Sequence, residues 1–254
     1  MATLSVGRSS GEVGTGPDPT WRGLYRAGGV SGLLAAVIYI VAAILIFTTP
    51  APPTSGGVET LEYIASYRSL YILKQILWLG PSVLAMVVFL ALYPALKHVN
   101  KSYAAIGAVL GISAWALSLA WPTTGEGAPA LVSLSDQYAA ATTDAARTAV
   151  ANAAEVLIAT EAIPSALGVL QTIGILIISL VMLGGIFPKS VAYLGVATGA
   201  IGIVSEALIS LLGATYAIYG VLVIVWFLVI GWQLYRLAGD RGNGYRMHEE
   251  KILT

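Results

Sequence analysis

Residues 190–212 read SVAYLGVATGAIGIVSEALISLL, a run of 23 residues with one charge, Glu206. At 1.5 Å per helical residue the run reaches about 35 Å, enough to cross a hydrocarbon core roughly 30 Å thick. Five similar blocks lie near 28–48, 70–93, 102–122, 164–185 and 215–237. Lys74 and Glu206 are the charges inside the blocks, with Arg236 at the edge of the last one. The pattern predicts an all-α fold, a polytopic transmembrane helical bundle of six spans.

Composition points the same way. Apolar residues make up 57% of the chain and charged residues 10%, against about 25% charged in an average soluble domain. Formal net charge is zero, so nothing in the charge balance argues for nucleic acid. The absence of cysteine excludes disulfides, a thiolate nucleophile and cysteine-ligated zinc. The longest interval between blocks, 123–163, is too short for a separate soluble domain. The expected organisation is a disordered cytoplasmic N-terminus at 1–20, a transmembrane domain at 21–238 and a cytoplasmic tail at 239–254. The first block follows Arg22 and Arg26 as a signal peptide would. At about 20 residues it exceeds a signal h-region and reads as a retained helix.

Six spans put both termini on one side. That side, with the turns at 94–101 and 186–189, carries every Lys and Arg except Arg68, Lys74 and Arg147. The positive-inside rule makes it cytoplasmic, and the expected location is the plasma (inner) membrane. Segments 49–69 and 123–163 are then extracytoplasmic, and both show amphipathic helical spacing. Leu61 and Ile64 share a face in the first; Leu131, Leu134 and Tyr138 share one in the second. Further on, Val150, Ala154, Leu157 and Ile158 share another face. Two arrangements of 144–163 stay open: continuation into the fourth span through Pro164, or a helix lying on the membrane surface. Thr48 to Pro53 is expected to stop the first helix, and Pro81 to kink the second. Pro94 and the polar run 97–101 are expected to end the second helix, and Trp121-Pro122 the third.

An internal repeat joins two cytoplasmic turns. Lys101-Ser102-Tyr103-Ala104-Ala105-Ile106-Gly107, continuing to Gly111, matches Lys189-Ser190-Val191-Ala192-Tyr193-Leu194-Gly195, continuing to Gly199. Common descent and a shared need for a basic anchor with a small packing face explain it equally well. Gly107 with Gly111, and Gly195 with Gly199, are small-xxx-small pairs that let helix backbones approach. Gly195, Gly199, Gly202, Glu206, Ser210 and Gly213 recur every three or four residues and are expected on one face. Glycine gains nothing against lipid, so that face, and Glu206 with it, should point into the bundle.

Depth counted along the helices places Glu206 and Lys74 in the outer half. Gln75 is beside Lys74, Gln171 lies slightly outward of centre in the fourth span, and Glu161 is at that span's outer end. One reading is a polar pocket of Glu206, Lys74, Gln75, Gln171 and Glu161, open to the outer side. The other is an ion pair, Lys74–Glu206 or Lys74–Glu161, that merely registers helices. Intramembrane charges are functional candidates by default. A buried Glu206 with no cation beside it would be carried as the neutral acid. His98 and His248 have no second ligand at metal spacing, and no serine pairs with an embedded histidine. No catalytic residue, metal site or cofactor is read, and the chain is expected not to be an enzyme.

The string Leu90-Ala91-Leu92-Tyr93-Pro94-Ala95-Leu96-Lys97-His98-Val99-Asn100-Lys101-Ser102 ends one such helix. Together with Val181-Met182-Leu183, Phe187-Pro188-Lys189 and Tyr193-Leu194-Gly195, it resembles the hairpins of a prokaryotic membrane family. That family is catalogued as domain of unknown function 4386, and the resemblance spans most of 25–238. It implies a six-helix integral membrane protein and carries over no activity, substrate or catalytic residue.

The expected role is a non-enzymatic membrane module that binds lipid or a partner. The alternative is a small-molecule or proton-coupled transporter using the pocket around Glu206, with an intramembrane enzyme third. Expected partners are membrane lipids and a small molecule or protein; no nucleic acid is expected. An oligomer through the Gly107/Gly111 or Gly195/Gly199 faces is compatible with the spacing. Orientation is directly testable because the chain has no cysteine. In intact cells Ala145→Cys should react with an impermeant maleimide and Ser102→Cys only after permeabilisation; the reverse pattern inverts the topology.

Overall fold

The computed structural model describes residues 18–53, 55–120, 129–161 and 166–239. Several expectations lie outside them: most of the disordered 1–20 segment, the tail beyond Gly239, the Trp121-Pro122 stop and the Pro164 junction. The side chains of Glu161 and Ser210 are also outside the described set. Among the described residues regular structure is entirely helical. The helices are α1 (Arg22–Thr48), α2 (Gly57–Ser66), α3 (Arg68–Leu79), α4 (Pro81–Leu96), α5 (Lys101–Ala120), α6 (Pro129–Ala140), α7 (Asp144–Glu161), α8 (Ala166–Met182), α9 (Lys189–Ala207), α10 (Ile209–Leu212) and α11 (Tyr216–Gly239).

Five helical stretches are long and apolar enough to cross a membrane: α1, the continuous α3–α4 rod, α5, α9 and α11. The apolar α8 is shorter, at 17 residues. Val37 and Ile44 on α1, Val109 on α5, Val204 on α9 and Val221 on α11 are each more than half exposed. In water so many outward apolar side chains would be unfavourable; in lipid they are the natural exterior. The chain is a multi-pass membrane helical bundle.

Consecutive long helices pack in a closed ring, α1–α4–α5–α8–α9–α11, with α11 returning to α1. Glycines set the closest approaches. A Cβ on Gly29 would lie 2.6 Å from the Tyr235 backbone, and one on Gly32 2.8 Å from Cα of Gly231, so α1 and α11 touch backbone to backbone. A Cβ on Gly199 would lie 2.7 Å from the Leu176 backbone nitrogen across α8–α9. Inside the ring an aromatic column fills the centre. Phe89 packs on Trp226 at 5.7 Å between centroids, Trp226 on Phe227 at 5.1 Å, and Trp115 on Phe227 at 5.8 Å.

The shorter helices α2, α6 and α7 pack on one another beside one end of the ring. Leu61, Ile64, Leu131 and Ala154 are buried between them, while Glu59, Glu62 and Asp136 are exposed. Ser135 Oγ ties α6 to α2 by donating to the Leu61 carbonyl at 2.8 Å. At the other end of the ring Lys97 lies 3.7 Å from Asp18 and over the Trp21 ring. Arg22 Nε there donates to the Ala238 carbonyl at 3.0 Å.

Pro81, expected to kink the second helix, sits at the first position of α4 after Gly80, where its missing N–H divides the rod into α3 and α4. Two helix details differ from expectation. Pro94 lies inside α4, which continues to Leu96 and stops where the polar run begins at Lys97. The α9 helix stops at Ala207 because Leu208 leaves helical geometry at φ −114°, ψ 20°. Gly213 therefore falls off the glycine stripe and serves the following turn, with φ +51° and no atom within 4 Å of a Cβ placed there. Both repeat copies begin helices at their lysines. A Cβ on Gly107 or on Gly199 would meet α8, at Ile178 and Leu176, while one on Gly111 would meet the Phe89 ring of α4. The α9 helix packs on the helix before it and α5 on the helix after it.

Gly199→Leu should force α8 and α9 apart and destabilise the protein by about 1–3 kcal/mol or more, as overpacking does. Gly220, on α11, has no atom within 4 Å of a would-be Cβ, so Gly220→Leu should be close to neutral. Thermal unfolding in detergent compares the two; equal effects would contradict the packing described.

Candidate functional site

Glu206 is the last buried residue on the glycine face of α9. The antiparallel register sets Gly195 on Ser179, Gly199 on Leu176 and Gly202 on Thr172 of α8. One turn on, the same register places Glu206 opposite Gly168. A Cβ on Gly168 would sit 2.2 Å from Oε2 of Glu206, so the carboxyl occupies room that any side chain at 168 would fill. Glu206 is 5% exposed.

Its hydrogen-bond partner comes from α11. The chain leaves α9 at Leu208, turns through Gly213 in left-handed geometry and starts α11 at Tyr216. That reversal brings the Tyr216 hydroxyl to Glu206, where it donates to Oε1 at 2.7 Å. Tyr219 lies one turn further, its ring against Gly202 and edge-on to Tyr216 at 5.6 Å. Tyr39 on α1 packs against Trp78 and Phe227. Glu206 thus sits at one end of the aromatic column. Among the described residues no cationic side chain pairs with it.

Of the five residues expected to share a pocket, four have described side chains, and Glu206, Lys74 and Gln171 have separate partners. Lys74 is buried on α3 and directs Nζ to the Pro50 carbonyl at 3.5 Å, an oxygen that also accepts from Tyr63 Oη at 2.8 Å. Gln75 is buried beside it, lining an apolar groove toward α6. Gln171 donates from Nε2 to Ser118 Oγ at 2.6 Å, bridging α8 to α5. Glu161 closes α7, and its side chain lies outside the described residues. The Lys74–Glu206 pair is not formed. The α3–α4 rod and α9 lie across the ring from each other, and the aromatic column fills the space between them.

Tyr216, Tyr219, Tyr39, Gly168 and Ser118 were not visible as site residues in the sequence. For Tyr216, the Gly213 between it and Glu206 is a usable sign of a tight reversal. Gly168 carries no sign without the α8–α9 register. Chemically, the arrangement offers one carboxyl, one donated hydrogen bond and apolar walls. Among the described residues no cluster of three or more His, Asp or Glu is present. Two oxygens fall well short of the six or more a hard cation takes.

No protein-family model matches the chain, and no curated protein or solved structure matches it.

Gly168→Ala should displace the Glu206 carboxyl and lower stability by about 1–3 kcal/mol. Combined with Glu206→Ala, which vacates that space, the same substitution should cost markedly less. Unfolding of the two single variants and the double variant measures the coupling. Simple additivity would show that the two residues do not share the space.

Proposed function

We propose that this chain is a six-span protein of the plasma (inner) membrane, both termini cytoplasmic, that acts without catalysis as a proton-binding membrane module centred on Glu206. The observation that carries the reading is a buried carboxyl with no cationic partner among the described residues. Stripping a carboxylate of water without a compensating charge is costly by several kcal/mol, and a bound proton removes that penalty. Tyr216 orients the carboxyl, and Gly168 makes room for it.

The six-span count draws on α8, whose 17 residues reach about 26 Å, at the short end of the spanning range. It stands in the ring between α5 and α9, where Gly107 meets Ile178 and Gly199 meets Leu176. The contacts of Asp18, Trp21 and Arg22 with Lys97 and Ala238 hold both chain ends to one end of the bundle, as an even number of spans requires. The hairpin strings at 90–102 and 181–195, which resemble those of a six-helix family, agree with the count.

Infrared difference spectroscopy of the reconstituted protein, stepped in pH, tests the proton role. A protonated-carboxyl band should disappear in Glu206→Gln and shift in Tyr216→Phe, which removes the donated hydrogen bond. If Glu206→Gln, folded as the parent, leaves every carboxyl band unchanged across the titration, the reading fails.

A further inference from the structure

An open groove of about 390 Å³ runs between α3, the end of α5 and α6. Ile72, Ile76, Leu79, Gly80, Leu119 and Val132 form most of its lining. Ile76 and Leu119 are 61% and 46% exposed, so the groove opens sideways onto the same surroundings as the apolar exterior of the ring. Arg68, Ile72 and Ile76 follow at four-residue steps on one face of α3, as Val132 and Asp136 do on α6. The groove therefore lies between two helix faces that an ion pair joins at one end. There Arg68 grips Asp136 with two hydrogen bonds, Nη1 to Oδ1 and Nη2 to Oδ2, the second at 3.0 Å. Both side chains are about half exposed. The Arg68 guanidinium also holds the Asp136 carboxyl below its ordinary range, so the rim carries a full positive and a full negative charge at neutral pH.

The dimensions suit a lipid. From Arg68 to Gly80 the helix advances about 18 Å, close to one leaflet of a hydrocarbon core roughly 30 Å thick. A charged rim stands at one end and an apolar channel runs from it along the leaflet. Two of the five guanidinium N–H groups serve Asp136, leaving donors for a phosphate. Asp136 keeps lone pairs for an ammonium. A purely anionic headgroup would meet Asp136, and a purely cationic one Arg68; a headgroup bearing both charges meets neither repulsion.

We propose that this groove holds one acyl chain of a zwitterionic glycerophospholipid of the outer leaflet, its phosphate on Arg68 and its amine on Asp136. The inference rests on the membrane reading above and is independent of the proton at Glu206. An apolar chain in the groove replaces water or loosely packed lipid against isoleucine and leucine, and the rim pair selects the headgroup.

Native mass spectrometry of the full chain, released from detergent containing equal phosphatidylethanolamine and phosphatidylglycerol, provides the test. The parent should retain the ethanolamine lipid several-fold over the glycerol lipid. Ile76→Trp, which fills the groove, should reduce that adduct at least fivefold, while Val109→Trp on the exposed face of α5 should leave it unchanged. Leu119→Trp fills the groove from the other wall and substitutes if Ile76→Trp does not fold. The double variant Arg68→Gln with Asp136→Asn leaves the groove open and should keep an adduct while losing the headgroup preference. Equal retention of both lipids by the parent, or retention indifferent to a folded groove-filling variant, overturns the proposal. Glu206→Gln should leave the adduct intact, so failure of the proton reading is separable. Ala145→Cys labelling from the cytoplasmic side would overturn the leaflet assignment while leaving the headgroup preference standing.

Discussion

Close backbone contact at glycine is the interaction on which this bundle depends. Lipid tails are as apolar as leucine, so helices in a membrane gain little by hiding apolar side chains from their surroundings. What remains is dispersion across surfaces that fit, and that is strongest where side chains are absent. Gly195, Gly199 and Gly202 bring α9 onto Ser179, Leu176 and Thr172 of α8. Gly29, Gly32 and Gly231 do the same for α1 and α11, the contact that closes the ring. The two seams act as fixed points, and the large aromatic residues fill the space that the ring encloses.

The position of Glu206 is a consequence of one seam. A carboxyl at the end of a glycine face has nowhere to go except into the space the partner helix leaves, and Gly168 leaves it. The turn at Gly213 then decides what meets the carboxyl, by returning the chain so that the Tyr216 hydroxyl arrives at Oε1. Lys74, equally buried, is held on the other side of the ring beside the Pro50 carbonyl. Two intramembrane charges of opposite sign in one chain are therefore handled separately. An aromatic column lies between them.

Much of the fold was legible because its signals are local. The glycine spacing of 195, 199, 202 and 206 follows from helical periodicity alone, and it correctly turned Glu206 inward. The same extrapolation failed at Gly213, because it assumed a helix that Leu208 interrupts. The α1–α11 seam at Gly29, Gly32 and Gly231 went unread: two small residues in the first turns of a block and one isolated in another do not announce that they meet. For the site, burial was legible and partnership was not. The pairing of opposite charges is a sound first guess for buried ions, yet it carries no information about which helices are neighbours. Gln171 found Ser118 on α5 for the same reason: ring order, and not charge, chose its partner.

By itself the sequence determined the class of the molecule, the long apolar helices and the inward face of α9. Those properties depend on hydropathy and on the 3.6-residue period, which act within a single segment. Tertiary structure decided which faces meet, in what register, and therefore that Glu206 rests in the hollow of Gly168 under the Tyr216 hydroxyl. Register between two helices is set by the fit of their surfaces over several turns at once. A shift of one turn would move Glu206 past Gly168 by about 5 Å and set it against a neighbour with a side chain. No single segment contains that information, because it belongs to the pair.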